Sequence, residues 1–268
     1  MAGDPGDPPV VLLHGFFSDG RMWAPLVAHF TTTYRLRRLW LAVDLPGHGL
    51  SCAVKPDDPA QTWPWLLELL DELWSGQAEP PALVGYSMGA RIAGWYALAP
   101  RMGGERPTVT RLVLESGHCG VAQAERPARQ AVEAALAEQV CRHGVAAFAA
   151  FWRTHPLFAG RLAQPNDVTA TLDALRLEQR SQGLAFAQRY LGTGAMPSLV
   201  DLPPRLDIEV LLLAGAQDLT YVGQLAQWQT RFARATCTVV PECGHHVAAQ
   251  ATQLWSVVVA GHLGRSVA

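Results

Sequence analysis

Short apolar runs punctuate the chain at Val10-Val-Leu-Leu13, Trp40-Leu-Ala-Val43, Ala82-Leu-Val84, Arg111-Leu-Val-Leu-Glu115, Val210-Leu-Leu-Leu213 and Cys237-Thr-Val-Val240. Each is too short for a helix, and each is followed within two residues by glycine, proline or a polar residue, which is the pattern of strands buried on both faces. Between them the apolar positions recur at helical spacing over Trp23–Phe30, Thr62–Trp74, Arg91–Leu98, Tyr221–Phe232 and Val247–Leu263. Thr62 is the expected N-cap of its helix, with Pro64 tolerated in the first turn. Trp63, Trp65 and Trp74 read as packing residues. Residues 1–9 form a flexible Gly/Asp/Pro lead, and Pro100 with Gly103-Gly104 marks a loop. Strands that alternate with helices predict an α/β protein with a mostly parallel central sheet and its active groups at the strand carboxyl ends.

The alternation stops in the middle of the chain. From about 121 to about 202 the periodicity is helical, without a convincing strand: Ala122–His143, Val145–Arg153, and Val168–Tyr190 with a break expected at Gly183, followed by a loop over Gly192–Pro197. An all-helical insertion between strands of such a sheet reads as a cap over the active site. The expected organisation is a first core part over 1–120, a cap over 121–202 and a second core part over 203–268.

Composition narrows the class. The 268 residues are 49% hydrophobic and 16% charged, which fits one globular unit with an insertion. A net charge of −2 without a basic block argues against a nucleic-acid surface. Cys52, Cys119, Cys141, Cys237 and Cys243 are odd in number and scattered, as expected of reduced thiols in a cytoplasmic protein. The start has neither a basic nor an apolar leader region, and no apolar run is long enough to cross a bilayer.

The candidate chemistry gathers at the strand ends. Gly85-Tyr-Ser87-Met-Gly89 follows a strand and opens a helix, the context a nucleophile elbow requires. Further along come Asp218, just past the penultimate strand, and His245, in the loop after the last one. A serine hydroxyl needs an imidazole to take its proton, and that imidazole needs a carboxylate to set its tautomer. His246 competes with His245, and Glu115 with Asp218. His14-Gly15-Phe16 after the first strand points to an oxyanion site built from the backbone N–H groups of Phe16 and Met88. Asp44 and His48, in Asp44-Leu-Pro-Gly-His-Gly49, read as turn chemistry. Arg91 lies one helical turn beyond Ser87 and can reach the same pocket, where a guanidinium would take a carboxylate in a bidentate fork. Cys243 and His246 lack the spacing of a metal site, so neither metal nor cofactor is expected.

The order Ser87, Asp218, His245 is that of the α/β-hydrolase fold. Within it the chain resembles the MenH-type 2-succinyl-6-hydroxy-2,4-cyclohexadiene-1-carboxylate (SHCHC) synthases of menaquinone biosynthesis. The resemblance covers nearly the whole chain. It rests on His14-Gly-Phe, Asp44-Leu-Pro-Gly-His-Gly, Leu83-Val-Gly-Tyr-Ser-Met-Gly-Ala-Arg91 and Leu114-Glu-Ser-Gly-His118, and in the insertion on Ala124-Glu-Arg-Pro-Ala-Arg129, Trp152-Arg-Thr-His-Pro156, Gln179-Arg-Ser-Gln-Gly-Leu-Ala185 and Gly192-Thr-Gly194. The chain departs from the family's usual residues at Ala90, Cys119, Val200, Leu219-Thr-Tyr221 and His246-Val-Ala-Ala-Gln250.

The resemblance implies a lyase that eliminates pyruvate from an enolpyruvyl cyclohexene carrying several carboxylates. Ser87, activated by His245 and Asp218, is then the base. Arg129 and Arg180 join Arg91 as carboxylate binders, with Arg126 and Arg189 as alternatives, and Tyr86 and Trp152 line the pocket. The implied partner is a small anionic substrate, not nucleic acid or membrane, and a monomer is expected. A serine carboxylesterase or thioesterase working through an acyl-Ser87 is the alternative function.

Overall fold

The computed structural model describes residues 1–99, 109–158, 166–200 and 206–264. Its frame is one parallel sheet of six strands: β1 (Pro9–Leu13), β2 (Leu39–Val43), β3 (Ala82–Tyr86), β4 (Arg111–Glu115), β5 (Leu206–Gly215) and β6 (Phe232–Val240). The strand order is β2-β1-β3-β4-β5-β6. Every residue of β1, β3 and β4 is buried, including the charged Arg111 and Glu115 that bound the apolar run of β4. The chain steps from β1 outward to β2, then returns to β3 and runs the other way. The crevice between the carboxyl ends of β1 and β3 is therefore the topological switch point, where open α/β sheets bind ligands.

Helices α1 (Ala24–Thr32), α2 (Thr62–Trp74) and α3 (Met88–Leu98) connect the first strands, and α7 (Leu219–Gln229), α8 (Val247–Gln250) and α9 (Thr252–Gly264) the last. Two apolar clusters fill the faces of the sheet. One places α3 and Trp228 against Leu83, Leu112 and Leu212; the other places Trp23, Phe30 and Trp255 against Val10, Val84 and Leu211. Alternate residues of each strand feed the two clusters, as the pleat dictates. Trp63 packs edge-on against Trp95, and Trp74 against Tyr96.

Between β4 and β5 the regular elements among the described residues are all helical, chiefly α4 (Arg126–Arg153), α5 (Asp167–Glu178) and α6 (Ser181–Tyr190). Gly144, at φ 80° and ψ 170°, kinks α4 where two helices were expected. The helices rest on the loop after β1 through a small core of Phe17, Val140, Phe148, Trp152 and Leu184.

Several boundaries differ from the sequence reading. The break expected at Gly183 falls at Gln179-Arg180 instead. Gln179 turns extended and buries its amide, which donates to Asp19 Oδ2 (2.9 Å) while its oxygen accepts from Gly49 N (3.0 Å). Gly183 stays helical because α6 crosses the Pro46-Gly47 turn there, and a Cβ would strike the Gly47 and Cys52 carbonyls. Thr62 is the first residue of α2 rather than its cap, bonding back to the Pro59 carbonyl at 2.7 Å. Phe232 opens β6 instead of closing α7. The closing helix is two, parted at Ala251. The lead is not wholly loose, since Ala2 pairs antiparallel with Trp40 on the edge of the sheet. The loop expected around Gly103-Gly104 lies outside the described residues. Among those residues no helix is long and apolar enough to cross a membrane, no cluster could hold a metal, and all five cysteines are free thiols.

Candidate active site

Ser87 joins β3 directly to α3 in a left-handed conformation, φ 52° and ψ −108°. A serine adopts this region only where its surroundings impose it. Its N–H donates to the Glu115 carbonyl (2.8 Å), and its own carbonyl accepts from Arg91 N (3.0 Å). The turn can be this tight because Gly85 and Gly89 lack side chains. A Cβ on Gly85 would meet the Gly89 backbone, and one on Gly89 the Leu13 carbonyl.

His245 comes from the loop after β6, with Nε2 2.9 Å from Ser87 Oγ and Nδ1 2.6 Å from Asp218 Oδ2. Asp218 has a second task, because it N-caps α7 and its Oδ1 faces Tyr221 N at 3.5 Å. Tyr221 sets its ring edgewise 4.5 Å from the His245 ring, and Tyr86 lies at 5.6 Å. The competing residues do other work. His246 stacks on Tyr86, with centroids 3.9 Å apart and planes 11° from parallel. Glu115 Oε1 accepts from Ala248 N (3.1 Å), at the start of α8. Burial holds the Glu115 carboxyl up at about 8.

The strand-end loops facing Ser87 are pinned by two uncharged histidines. His14 donates from Nδ1 to the Gly15 carbonyl (2.7 Å) and accepts from Leu45 N at Nε2 (2.9 Å). His48 accepts from Phe17 N at Nε2 (3.3 Å) and faces the Pro46 carbonyl with Nδ1 (3.2 Å). Burial depresses both, His48 to about 3. Asp44 serves the same turn, accepting from Gly20 N (2.8 Å) and Leu50 N (2.7 Å). With Phe17 N engaged, the neighbouring Phe16 N–H has no acceptor among the described residues. Met88 heads α3, where a helix's first amides lack an intrahelical partner. Both are suited to receive an oxyanion. Trp152 and Phe148 roof the loop, their ring centroids 5.3 Å and 6.3 Å from that of Phe16.

The arginines differ in setting. Arg91 is buried and donates to the Leu191 carbonyl (3.1 Å) and Met196 Sδ (3.8 Å), with no carboxylate paired to it among the described residues. Burial lowers its pKa, Tyr221 and Glu133 oppose that, and Arg129 adds to it. Arg129 is half-exposed, and its Nε donates to Glu133 Oε1 (2.8 Å). Arg126 is spent on the Gly194 and Ala195 carbonyls (3.0 and 3.1 Å). Arg180 and Arg189 are exposed and line a cleft of about 850 Å³ with Lys55, Cys52, Cys141 and Tyr190, which contains none of Ser87, Asp218 or His245. The structure thus groups Arg91 and Arg129 with Tyr221 and His118, whose ionisation both arginines influence, and sets Arg180 apart.

Sequence reading missed Tyr221, His118, Glu133 and Thr193. Tyr221 was discoverable, being one helical turn past Asp218. His118 and Thr193 lie within stretches that carry the family resemblance, Leu114-Glu-Ser-Gly-His118 and Gly192-Thr-Gly194, and Glu133 carries no local signal.

The family model of the Alpha/beta hydrolase family matches residues 10–255. A putative SHCHC synthase of Bacillus subtilis (strain 168) is 30% identical over 258 residues, 95% of this chain and 89% of that protein. The SHCHC synthase of Salmonella heidelberg (strain SL476) is 33% identical over 248 residues, 92% of this chain and 90% of that one. The solved structure of MenH from S. aureus superposes with a TM-score of 0.84 at 28% identity, covering 96% of this chain and 93% of the other.

Proposed function

The chain belongs to the α/β hydrolase family, among the SHCHC synthases, and from that premise we propose that it eliminates pyruvate from 2-succinyl-5-enolpyruvyl-6-hydroxy-3-cyclohexene-1-carboxylate to give SHCHC. The observation that carries the reading is Arg91: a buried guanidinium one turn from Ser87 that makes no ion pair with a carboxylate among the described residues, Glu133 acting on it only at longer range. A buried cation without a directly paired carboxylate is costly, and an anionic substrate offsets that cost.

The steps follow from the hydrogen-bond chain. Asp218 holds Nδ1–H of His245, so Nε2 presents its lone pair to Ser87 Oγ. As Ser87 Oγ draws the ring proton from the substrate, its own proton passes to Nε2, and Asp218 stabilises the imidazolium. The electron pair released from the C–H bond forms the new ring double bond, and the C–O bond to the enolpyruvyl group breaks. The departing enolate takes up the proton held by the His245 imidazolium and leaves as pyruvate, which returns the imidazole to its neutral form. Phe16 N–H and Met88 N–H stand against the negative charge that develops. Arg91 and Arg129 orient the ring by its carboxylates, and Tyr86 and Trp152 bound the pocket. The helices over 121–202 act as the cap, with Trp152 and Phe148 as its inner wall. On this reading the protein is a monomeric cytoplasmic enzyme that acts on a small anion and needs no metal.

The test is pyruvate release from that substrate by the purified protein, with Ser87→Ala beside it. Removing the base should slow release by about 10²–10⁴-fold towards the uncatalysed rate. Release that does not depend on the serine, or turnover of simple esters without release, would overturn the reading.

A further inference from the structure

The loop that leaves α6, Leu191–Met196, is tied down from three directions. Glu133 of α4 is almost wholly buried, and its carboxylate accepts from Thr193 N (2.7 Å) and Gly194 N (3.0 Å). Gln130 and Arg126 hold the Gly194 carbonyl, both at 3.0 Å. Arg91, from the helix that begins at Ser87, holds the Leu191 carbonyl. The remaining tie reaches a side chain: His118 Nε2 lies 3.2 Å from Thr193 Oγ1.

The direction of that last bond can be derived. Gly120 N–H donates to His118 Nδ1 at 2.9 Å, so Nδ1 carries the lone pair. The ring is buried beside Arg91 and Arg129 and stays neutral. Nε2 therefore holds the proton and donates it, and Thr193 Oγ1 accepts. A hydroxyl that accepts still has one proton to give, and no acceptor for it stands among the described residues. The surroundings of this donor are those of the candidate site. The His118 ring lies 6.1 Å from that of Tyr221, which lies 4.5 Å from that of His245. The Thr193 amide shares Glu133 Oε1 with Arg129 Nε.

We propose that Thr193 is a specificity-determining residue, its Oγ–H donating to a carboxylate oxygen of the substrate held by Arg91 and Arg129, with His118 as the positioning residue that aims the proton. The inference rests on the lyase reading above, since it needs an anionic ligand between the arginines. His118 acts only as a neutral donor, so it fixes the direction without adding charge. The buried backbone of the loop would be anchored by Glu133 and Arg126 whatever residue stood at 193, so the hydroxyl is free to serve the ligand.

The experiment compares Thr193→Val, Thr193→Ala and Thr193→Ser with the wild type in pyruvate release, reading KM and kcat separately and melting temperature alongside. Valine keeps the shape and removes the donor; alanine leaves room for a water to satisfy His118 if valine fails to fold. The expected result is a KM raised about ten- to a hundredfold in the valine or alanine variant, with kcat within threefold, and KM restored by serine. A structural role would instead lower the melting temperature and leave KM unmoved. An active wild type whose valine and alanine variants keep KM within twofold overturns this inference alone. An inactive wild type overturns the lyase reading and this inference with it.

Discussion

Serine 87 holds its left-handed backbone because two glycines make room for it, and either glycine can be tested. Alanine at Gly89 drives a methyl into the Leu13 carbonyl. The expected loss is about 1–3 kcal/mol of stability in urea unfolding, with the Oγ displaced from His245 and activity lost beyond what the stability change explains. Glu115 offers a second residue-scale prediction, through pH. Its folded carboxyl keeps a proton up to about 8, whereas the unfolded chain releases it near 4.5. Between those values the folded state binds more protons than the unfolded one, so this group's contribution to stability falls as pH rises. Glutamine does not titrate. Glu115→Gln should therefore gain on the wild type steadily from pH 5 to pH 8 in parallel unfolding curves, and a constant difference would contradict the assignment.

At the scale of elements, Asp218 serves a helix and a histidine at once. Its backbone starts α7, and its two oxygens face Tyr221 N and His245 Nδ1. Asparagine can still cap but offers His245 no charge. Asp218→Asn should keep the melting temperature within a few degrees while turnover falls by about 10⁴-fold, whereas Asp218→Ala should in addition cost about 1 kcal/mol for the lost cap. Element boundaries also show where sequence legibility stops. The six strands and the elbow were readable because an apolar run ending in glycine or a polar residue is a local signal, and β4 and α2 begin and end at the expected residues. Gly183 misled because a glycine inside a helical pattern reads as a break, while its actual role is contact with a turn more than a hundred residues earlier. Glu133 was illegible for the same reason, and Thr193 was legible only as part of Gly192-Thr-Gly194, without a role: an acid on a helix and a threonine in a loop acquire meaning from the partners that tertiary packing supplies. Arg180 was legible as a cation, but not its direction, which the turn into α6 decides.

Across the whole molecule, the switch point between β1 and β3 explains why groups from distant parts of the chain meet. Residues from the ends of β1, β3, β5 and β6 converge there, and the helices between β4 and β5 bring Trp152 and Arg129 to the same edge. On the proposed reading, an anion held by Arg91 and Arg129 should stabilise the entire fold, since it binds only the native state. At a hundredfold excess over Kd the gain is about 2.7 kcal/mol, visible as a rise in melting temperature with a polycarboxylate product analogue. Arg91→Ala should abolish that rise while leaving the unliganded protein folded.

The parallel sheet joins strands that lie far apart in the chain. Arg111 and Glu209 pair across 98 positions, and Ser87 meets His245 across 158. On a ribosome this separation becomes time. At about 5–20 residues per second, the elbow emerges roughly 8–30 s before the histidine that activates it. During that interval the nascent protein carries a serine with no base beside it and a β4 edge with no β5 to cover it. It is therefore chemically silent but exposed to mispairing, and its window of vulnerability is set by how long the intervening helical segment takes to be made.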